Sequence, residues 1–312
     1  MIVRHETGPD AGAPWHYGDP FREQRRLAAG EAAVDLSHRP VFTISGPDRL
    51  TWLHALTSQD FAGLVPGTPV TAYILDPQGH ISHVLGGVDD GEVFWGHTEP
   101  GRLDALLAHL TRMVFASRVE LADRSVDHAL ILAPAADVVG PRIIRRVDLE
   151  AELGDVRAGT WAMEALRIAA GLPRVFLDTD ERTIPNELAN PDGVHLGPAV
   201  HLQKGCYPGQ ETVARIYNLG RPPRRLTLLH LDGSADALPA VGSEVFLDGA
   251  AVGRVGTSER HFELGPIALA LVKRTVPVEA PLVVDGIAAA QEALVDPDAG
   301  LHWRPQPGLG RR

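Results

Sequence analysis

The densest motif of this chain is Lys204-Gly205-Cys206-Tyr207-Pro208-Gly209-Gln210-Glu211, followed by Ala214-Arg215. Its cysteine is the only one among 312 residues. A disulfide within the chain needs two cysteines and a four-cysteine zinc site needs more, so both are excluded. Cys206 is therefore either a small buried apolar residue or a functional thiol.

The residues next to Cys206 favour a displayed thiol. Gly205 and Gly209 permit positive φ on either side of the rigid Pro208, which predicts a bent loop. Lys204 lies two residues away, and its positive charge would favour the thiolate. A structural cysteine in a glycine- and proline-containing turn is the alternative, and the spacing alone does not decide between them.

The composition is that of a folded protein with an acidic balance. Hydrophobic residues make up 44% of the chain and charged residues 22%. No apolar stretch resembles a signal peptide or reaches membrane-spanning length, so we expect a cytoplasmic protein whose lone thiol stays reduced. The net charge of −11 disfavours nucleic acid or an anionic membrane as a partner.

Local charge around the motif differs from that of the whole chain. Residues 204–225 contain five cations and one acid, Glu211, which gives a net charge of +4. This window predicts a cationic pocket, or else a solvated face whose arginines pair elsewhere in the chain. Gln210 and Glu211 are expected to brace the motif or to bind a ligand through hydrogen bonds.

Periodicity predicts an α+β fold over the first 222 residues. Helices are predicted at 21–33, from Gly46-Pro47-Asp48 onward, at 102–114, and at 161–170 with Thr160 as the N-cap. Strands at 71–75 and 81–88 flank Asp76-Pro77-Gln78-Gly79, a sequence typical of a tight hairpin turn.

The chain changes character after Pro222-Pro223. Short strand-like segments follow one another, and Asp248-Gly249 and Asp285-Gly286 are strong hairpin turns. About ninety residues of this kind predict a small β-barrel or sandwich.

Common catalytic signatures are missing from the sequence. It contains no Gly-x-Ser-x-Gly, no phosphate-binding Gly-x-x-x-x-Gly-Lys-Ser/Thr, no His-Glu-x-x-His and no Gly-x-Gly-x-x-Gly. His80 and His83 would point to opposite faces of a strand, so we favour ordinary polar histidines over a metal site.

The motif Lys204-Gly205-Cys206-Tyr207-x-Gly209-Gln210-Glu211-x-x-Ala214-Arg215 resembles the signature of the YgfZ family. Members of that family are folate-binding relatives of the glycine-cleavage T-protein and act in iron–sulfur cluster assembly or repair. The upstream segments at 34–38, 44–60, 75–81 and 164–173 are similar to the early strands, hairpin and later helix of the T-protein superfamily. The resemblance covers most of the chain.

The resemblance implies a three-domain ring around a central channel. Its first domain would take residues 1–37 and 126–222, its inserted domain 38–125, and its C-terminal β-barrel 223–312. Tetrahydrofolate or a polyglutamylated folate would lie in the channel, where Tyr73 could stack on a flat ring and Arg215 could meet the glutamate tail. An aromatic residue on a strand is also common in a core. Iron–sulfur proteins or their assembly factors would be partners.

Two departures from the T-protein pattern bear on activity. The catalytic Asp that follows the hairpin in T-proteins is absent from Gly79-His80-Ile81-Ser82-His83-Val84, so aminomethyl transfer is disfavoured. The carboxylate that grips the pterin is absent from Arg167-Ile168-Ala169. Whether the protein is an enzyme stays open.

Three functions are consistent with the sequence. The leading hypothesis is a folate-binding accessory protein of iron–sulfur cluster assembly or repair, with Cys206 as its functional thiol. The second is a folate-dependent one-carbon transferase or demethylase. The third is a protein associated with tRNA or other RNA, which the acidic net charge disfavours and which would use Arg215, Arg221, Arg224 and Arg225.

Overall fold

The structure, a computed structural model, describes residues 1–135, 138–188, 196 and 199–298. The α-helices are α1 (Pro20–Ala28), α2 (Arg49–Leu56), α3 (Leu103–Arg112), α4 (Leu149–Leu153), α5 (Thr160–Ala169) and α6 (Gln210–Leu219). Short 3-10 helices lie at Arg146–Asp148 and Pro185–Glu187. The described residues contain no helix that is both apolar enough and long enough to span a membrane.

The strands are numbered in chain order. Those of the first half are β1 (Val3–Arg4), β2 (Pro14–His16), β3 (Ala33–Asp35), β4 (Val41–Ser45), β5 (Pro69–Leu75), β6 (Ile81–Asp89), β7 (Val93–His97), β8 (Glu120–Asp123), β9 (His128–Ala135), β10 (Val138–Arg145) and β11 (Arg157–Ala158). Those of the second half are β12 (Arg224–Leu231), β13 (Glu244–Leu247), β14 (Ala250–His261), β15 (Gly265–Lys273), β16 (Leu282–Val284) and β17 (Ile287–Ala293).

An antiparallel sheet with the order β5-β6-β7-β4-β8 forms the centre of residues 41–123. Helices α2 and α3 bury their leucine-rich faces against one side of it, together with Phe42, Ile44 and Phe94. Because side chains alternate along a strand, Ala72 and Ile74 of β5 face these helices while Thr71 and Tyr73 face away from them. The second side of this sheet is therefore free to line a site.

A second sheet has the order β10-β9-β3-β11, in which β3 and β11 pair in parallel. Leu27 of α1 and Ala162 of α5 pack in one cluster with Val34 and Leu130 of this sheet. Helix α5 consequently lies between the second sheet and the C-terminal strands, and it also contacts β14.

The C-terminal strands form a closed barrel in the order β12-β15-β14-β13-β16-β17. Two of its hairpin turns are the predicted ones, since Asp248 and Gly249 have φ of 50° and 80°, and Asp285 and Gly286 have the same pair of values. Positive φ at both central residues matches the right-handed twist of the flanking strands. The prediction of a small barrel is confirmed.

Three predicted helix boundaries were wrong. Helix α1 ends at Ala28 because Gly30 adopts a φ of 74° and β3 begins at Ala33. Helix α2 begins at Arg49 rather than at Pro47. Thr160 is the first residue of α5, and Gly159, with extended backbone, is its cap; the Thr160 hydroxyl donates to the Pro14 carbonyl at 3.1 Å.

Candidate functional site

The cysteine motif leads into α6, a helix that the sequence analysis did not predict. Gly209 precedes the helix with a φ of 77°, and a Cβ there would lie 2.5 Å from the Asp76 carbonyl oxygen. In the opposite direction, a Cβ on Gly79 would lie 2.8 Å from Cβ of Thr212. The start of α6 and the β5–β6 turn thus pack backbone against backbone, which requires glycine on both sides.

Lys204 fastens the motif loop, residues 204–209, to the end of α2. Its ammonium donates to the carbonyl oxygens of His54 and Thr57 and lies 4.9 Å from the ring centroid of Tyr207. Carbonyls at the C-terminal end of a helix lack partners within it and carry partial negative charge. Burial lowers the pKa of Lys204 to about 8. From the sequence, the charge of Lys204 was expected to act on Cys206. In the structure its ammonium instead donates to the carbonyls at the end of α2.

Cys206 itself is exposed and unbridged. Tyr207 turns inward onto the core that includes Val213 of α6, and burial raises its pKa to about 12. Gln210 braces the loop, since its Oε1 accepts from the Tyr207 N–H at 3.2 Å, and Glu211 lies exposed in the first turn of α6. The alternative of a buried structural cysteine was wrong.

A histidine that no motif had indicated lies beside the loop. His54 Nδ1 is 3.0 Å from Asp60 Oδ1, and a Cβ placed on Gly205 would lie 3.7 Å from His54 Nε2. A hydrogen bond from the Gly63 N–H, assisted by His54, lowers the pKa of Asp60. No sequence motif marks His54, because the one local pattern around it is the leucine repeat of α2.

A cavity of about 520 Å³ lies between the first sheet and α5. Its walls are mainly apolar and include Tyr73 from β5, Leu130 from β9 and Leu166 from α5. A neighbouring cavity of about 410 Å³ shares part of this lining and reaches Gln59. Polar groups of the larger cavity are Arg39, Thr71, His97, Thr98, Glu99, Arg167 and Arg174.

An ion-pair network holds the charged groups among them. Arg174, only 4% exposed, contacts Asp10 at 2.7 Å, Glu99 at 2.7 Å and Glu164 at 3.3 Å. Arg39 contacts Glu99 at 3.3 Å, yet its buried Nε has no acceptor among the described residues. An N–H in that position is costly unless a water or a ligand accepts from it.

The prediction of a cationic pocket around the motif was wrong for two of its arginines, Arg224 and Arg225. Arg224 pairs with Asp180 at 2.5 Å and with Glu187 at 2.8 Å. Arg225 is buried and donates to the Lys273 carbonyl and to Gln291 Oε1. Their charge is used within the fold, as the alternative of arginines paired elsewhere in the chain had stated.

The remaining predicted residues lie apart from the cavities. Arg215 is exposed on α6 and is absent from the described lining of both cavities. His80 Nδ1 contacts Asp76 at 2.9 Å, whereas the His83 ring lies 5.0 Å from that of His109. The two histidines therefore face different neighbours.

Several known proteins are similar to this chain in sequence. No protein-family model matches it. It is 29% identical to an iron–sulfur cluster assembly factor IBA57 homolog of Mycosarcoma maydis over 62% of this chain, and the match spans about half (55%) of that protein. It is 37% identical to the tRNA-modifying protein YgfZ of Yersinia enterocolitica, over 26% of this chain and 23% of that protein.

A solved structure extends the likeness to nearly the whole chain. The glycine cleavage system aminomethyltransferase T of Bartonella henselae superposes with a TM-score of 0.74 at 17% identity, over 94% of both chains. This chain is similar in sequence to YgfZ and in fold to a T-protein. The predicted α+β fold of this type, with a C-terminal barrel, is confirmed. The exact domain boundaries stay predictions.

One departure from the T-protein pattern, the missing carboxylate at Ala169, has a defined place in the fold. Ala169 ends α5 and packs against the core cluster that contains Tyr73. Glu99, from the segment after β7, supplies a carboxylate on the cavity wall. A carboxylate is thus present at the cavity although α5 lacks one at Ala169.

Proposed function

We propose that this chain is a folate-binding accessory protein that supports the assembly or repair of iron–sulfur clusters, with Cys206 as its functional thiol. One structural observation carries the proposal. Strand β5 lines the cavity at Tyr73 and, three residues or about 10 Å further on, enters the turn that packs against Gly209 of the thiol motif. Strand β5 therefore connects the wall of the cavity to the turn that supports the motif loop.

The residues of the larger cavity fit a folate. Its volume lies in the range of about 300–1,000 Å³ that is usual for small-molecule sites, and apolar walls with few polar groups are typical of them. Tyr73 would meet the flat ring, and the unpartnered Nε of Arg39 would donate to a carbonyl or carboxylate oxygen. Bound tetrahydrofolate would supply a carrier for one-carbon groups. For a polyglutamylated form, Arg215 stays the predicted contact of the tail.

Two other functions find less support. Asp76, the acid of the β5–β6 turn, accepts hydrogen bonds from the backbone N–H groups of Gln78 and His80 and pairs with the His80 ring, so it is engaged in holding the turn. This turn therefore offers no free carboxylate for one-carbon transfer of the T-protein kind. Arg224 and Arg225 make contacts within the protein, so they do not contribute to a surface for RNA.

Calorimetric titration with tetrahydrofolate and its polyglutamates tests the ligand. We expect saturable binding to the wild-type protein and affinity at least about tenfold lower for Arg39→Met, because a charged donor is lost from the cavity. Arg145→Met, which removes an exposed cation that pairs with Asp148, should bind like the wild type. Absence of heat with every folate would contradict the folate proposal.

Complementation tests the iron–sulfur role. In a strain that lacks the protein, the wild-type chain should restore the activity of iron–sulfur enzymes and Cys206→Ser should not. Full rescue by Cys206→Ser would remove the thiol from the proposal, and failure of the wild-type chain would remove the function. The proposed partners are iron–sulfur proteins or their assembly factors. The proposed compartment is the cytoplasm, where an exposed lone thiol stays reduced.

A further inference from the structure

We propose that His54, oriented by Asp60, is the proton acceptor of the Cys206 thiol. The inference rests on the proposed function in so far as that function makes Cys206 the working group. It adds two residues that lie about 150 positions away in the chain and that no sequence motif marks. His54 would accept the proton, and Asp60 would be a positioning residue that acts through His54.

The orientation of the His54 ring is the first argument. Its Nδ1 lies 3.0 Å from Asp60 Oδ1 and 3.3 Å from the Ala62 nitrogen, which leaves Nε2 on the side of the motif loop. There a Cβ placed on Gly205 would be 3.7 Å from Nε2, so the ring nitrogen lies near the backbone of the residue directly before Cys206. A nucleophile, a histidine and an acid that holds the histidine form the arrangement that activates thiols and hydroxyls.

Contacts at both ends of the motif loop hold it beside the His54 ring. Lys204 donates to the backbone carbonyl of His54 itself, and also to that of Thr57. At the loop's other end, Gly209 packs against the β5–β6 turn. The Cys206 side chain is exposed, and proton transfer requires a χ1 rotamer that brings its thiol toward Nε2. Catalytic hydrogen bonds often form only when a substrate binds.

The chemical step is a proton transfer. The S–H bond of Cys206 breaks, its electron pair stays on sulfur, and the proton forms an N–H bond at Nε2 of His54. The resulting imidazolium is stabilised by the Asp60 carboxylate. Two more titratable groups lie near this pair: Lys204, whose pKa burial lowers to about 8, and His201, whose charge acts on Asp60.

Alkylation of the purified protein tests the proposal, and the single cysteine makes the modified site unambiguous. The rate of reaction with iodoacetamide is measured by mass spectrometry from pH 5.5 to 9. At pH 7 we expect His54→Gln to react about tenfold more slowly than the wild type. Asp60→Asn should show a smaller loss, with its pH profile displaced in the same direction.

A matched control comes from a histidine–carboxylate pair in the barrel. His230 Nε2 lies 2.9 Å from Glu292 Oε2 on the paired strands β12 and β17, outside the motif loop, so His230→Gln removes a comparable pair and should leave the alkylation profile unchanged. Thermal unfolding identifies any variant that loses its fold, and Asp60→Asn provides the test if His54→Gln does so. An unchanged pH profile in both His54→Gln and Asp60→Asn would overturn the proposal. That result would leave the outcomes of the folate titration and of complementation unchanged. Failure of those two tests would likewise leave the alkylation result unchanged.

Discussion

Arg174 and Asp10 form a two-point ion pair, with Nη1–Oδ2 at 2.7 Å and Nη2–Oδ1 at 2.9 Å. Burial alone would raise the pKa of Asp10, but hydrogen bonds from His38 and Arg174 outweigh burial and hold that pKa well below its usual range. The same guanidinium binds Glu99 beyond β7. Arg174 therefore joins the N-terminal segment, the first sheet and the segment that follows α5.

We expect Arg174→Gln to lower the free energy of unfolding by about 3–5 kcal/mol, because it leaves buried carboxylates without their cation. Urea denaturation at pH 7 measures the loss. Arg145→Gln is the control, since its pair with Asp148 is exposed and should contribute less than about 1 kcal/mol. Equal losses in the two variants would show that the buried network does not hold the segments together.

Gly209→Ala should destabilise the protein more than Gly249→Ala. Both glycines have a φ near 80°, so each variant suffers backbone strain of about 1–2 kcal/mol. Only at Gly209 would the new Cβ also meet backbone, at 2.5 Å from the Asp76 carbonyl, whereas the space around Gly249 is open. Unfolding free energies that agree for the two variants would contradict the close approach of α6 to the β5–β6 turn.

Glu259→Gln should change how stability depends on pH. Burial raises the pKa of Glu259 to about 8 from an ordinary 4.5, and the charge of Glu164 acts in the same direction. The folded chain thus keeps a proton that the unfolded chain releases, and stability falls as pH rises from 4.5 to 8. The variant has no such proton, so it should match the wild type at pH 5 and exceed it at pH 8.

Urea unfolding at these two pH values measures the effect of Glu259→Gln. Glu263→Gln, at an exposed position of the following turn, is the control and should retain the pH dependence of the wild type. Parallel curves for Glu259→Gln and the wild type would show that the carboxyl of Glu259 is charged in the folded protein.

Lys204→Met should loosen the motif loop without unfolding the chain. The variant keeps an apolar stem beside Tyr207 but leaves the His54 and Thr57 carbonyls without their donor. We expect faster amide hydrogen exchange at 204–210, with a global loss below about 2 kcal/mol. The only other lysine, Lys273, donates to the Ala251 carbonyl in the barrel, and Lys273→Met should leave exchange in the loop unchanged.

Elements with strong local signals were predicted well. The two Asp-Gly turns of the barrel have the positive φ that their residues favour, and the β5–β6 hairpin forms around Asp76-Pro77-Gln78-Gly79. Helix α6 was missed because its apolar pattern is short: Val213, Ile216 and Tyr217 occupy the i, i+3 and i+4 positions of little more than one turn, and Val213 is the one buried residue among the described residues of the helix. Packing of Gly209 against the hairpin turn, rather than periodicity, defines where that helix starts.

The sequence by itself determined the short-range features: a single thiol without a disulfide partner in the chain, glycines on either side of it, and the order of most helices and strands. These depend on residues that are neighbours in the chain. Tertiary structure alone decided that Cys206 is exposed, that Lys204 binds the end of α2, that Arg224 is paired internally, and that His54 faces the loop. The physical reason is that each of these contacts joins segments far apart in sequence, so its partner exists only after the sheets, α2 and the barrel have packed.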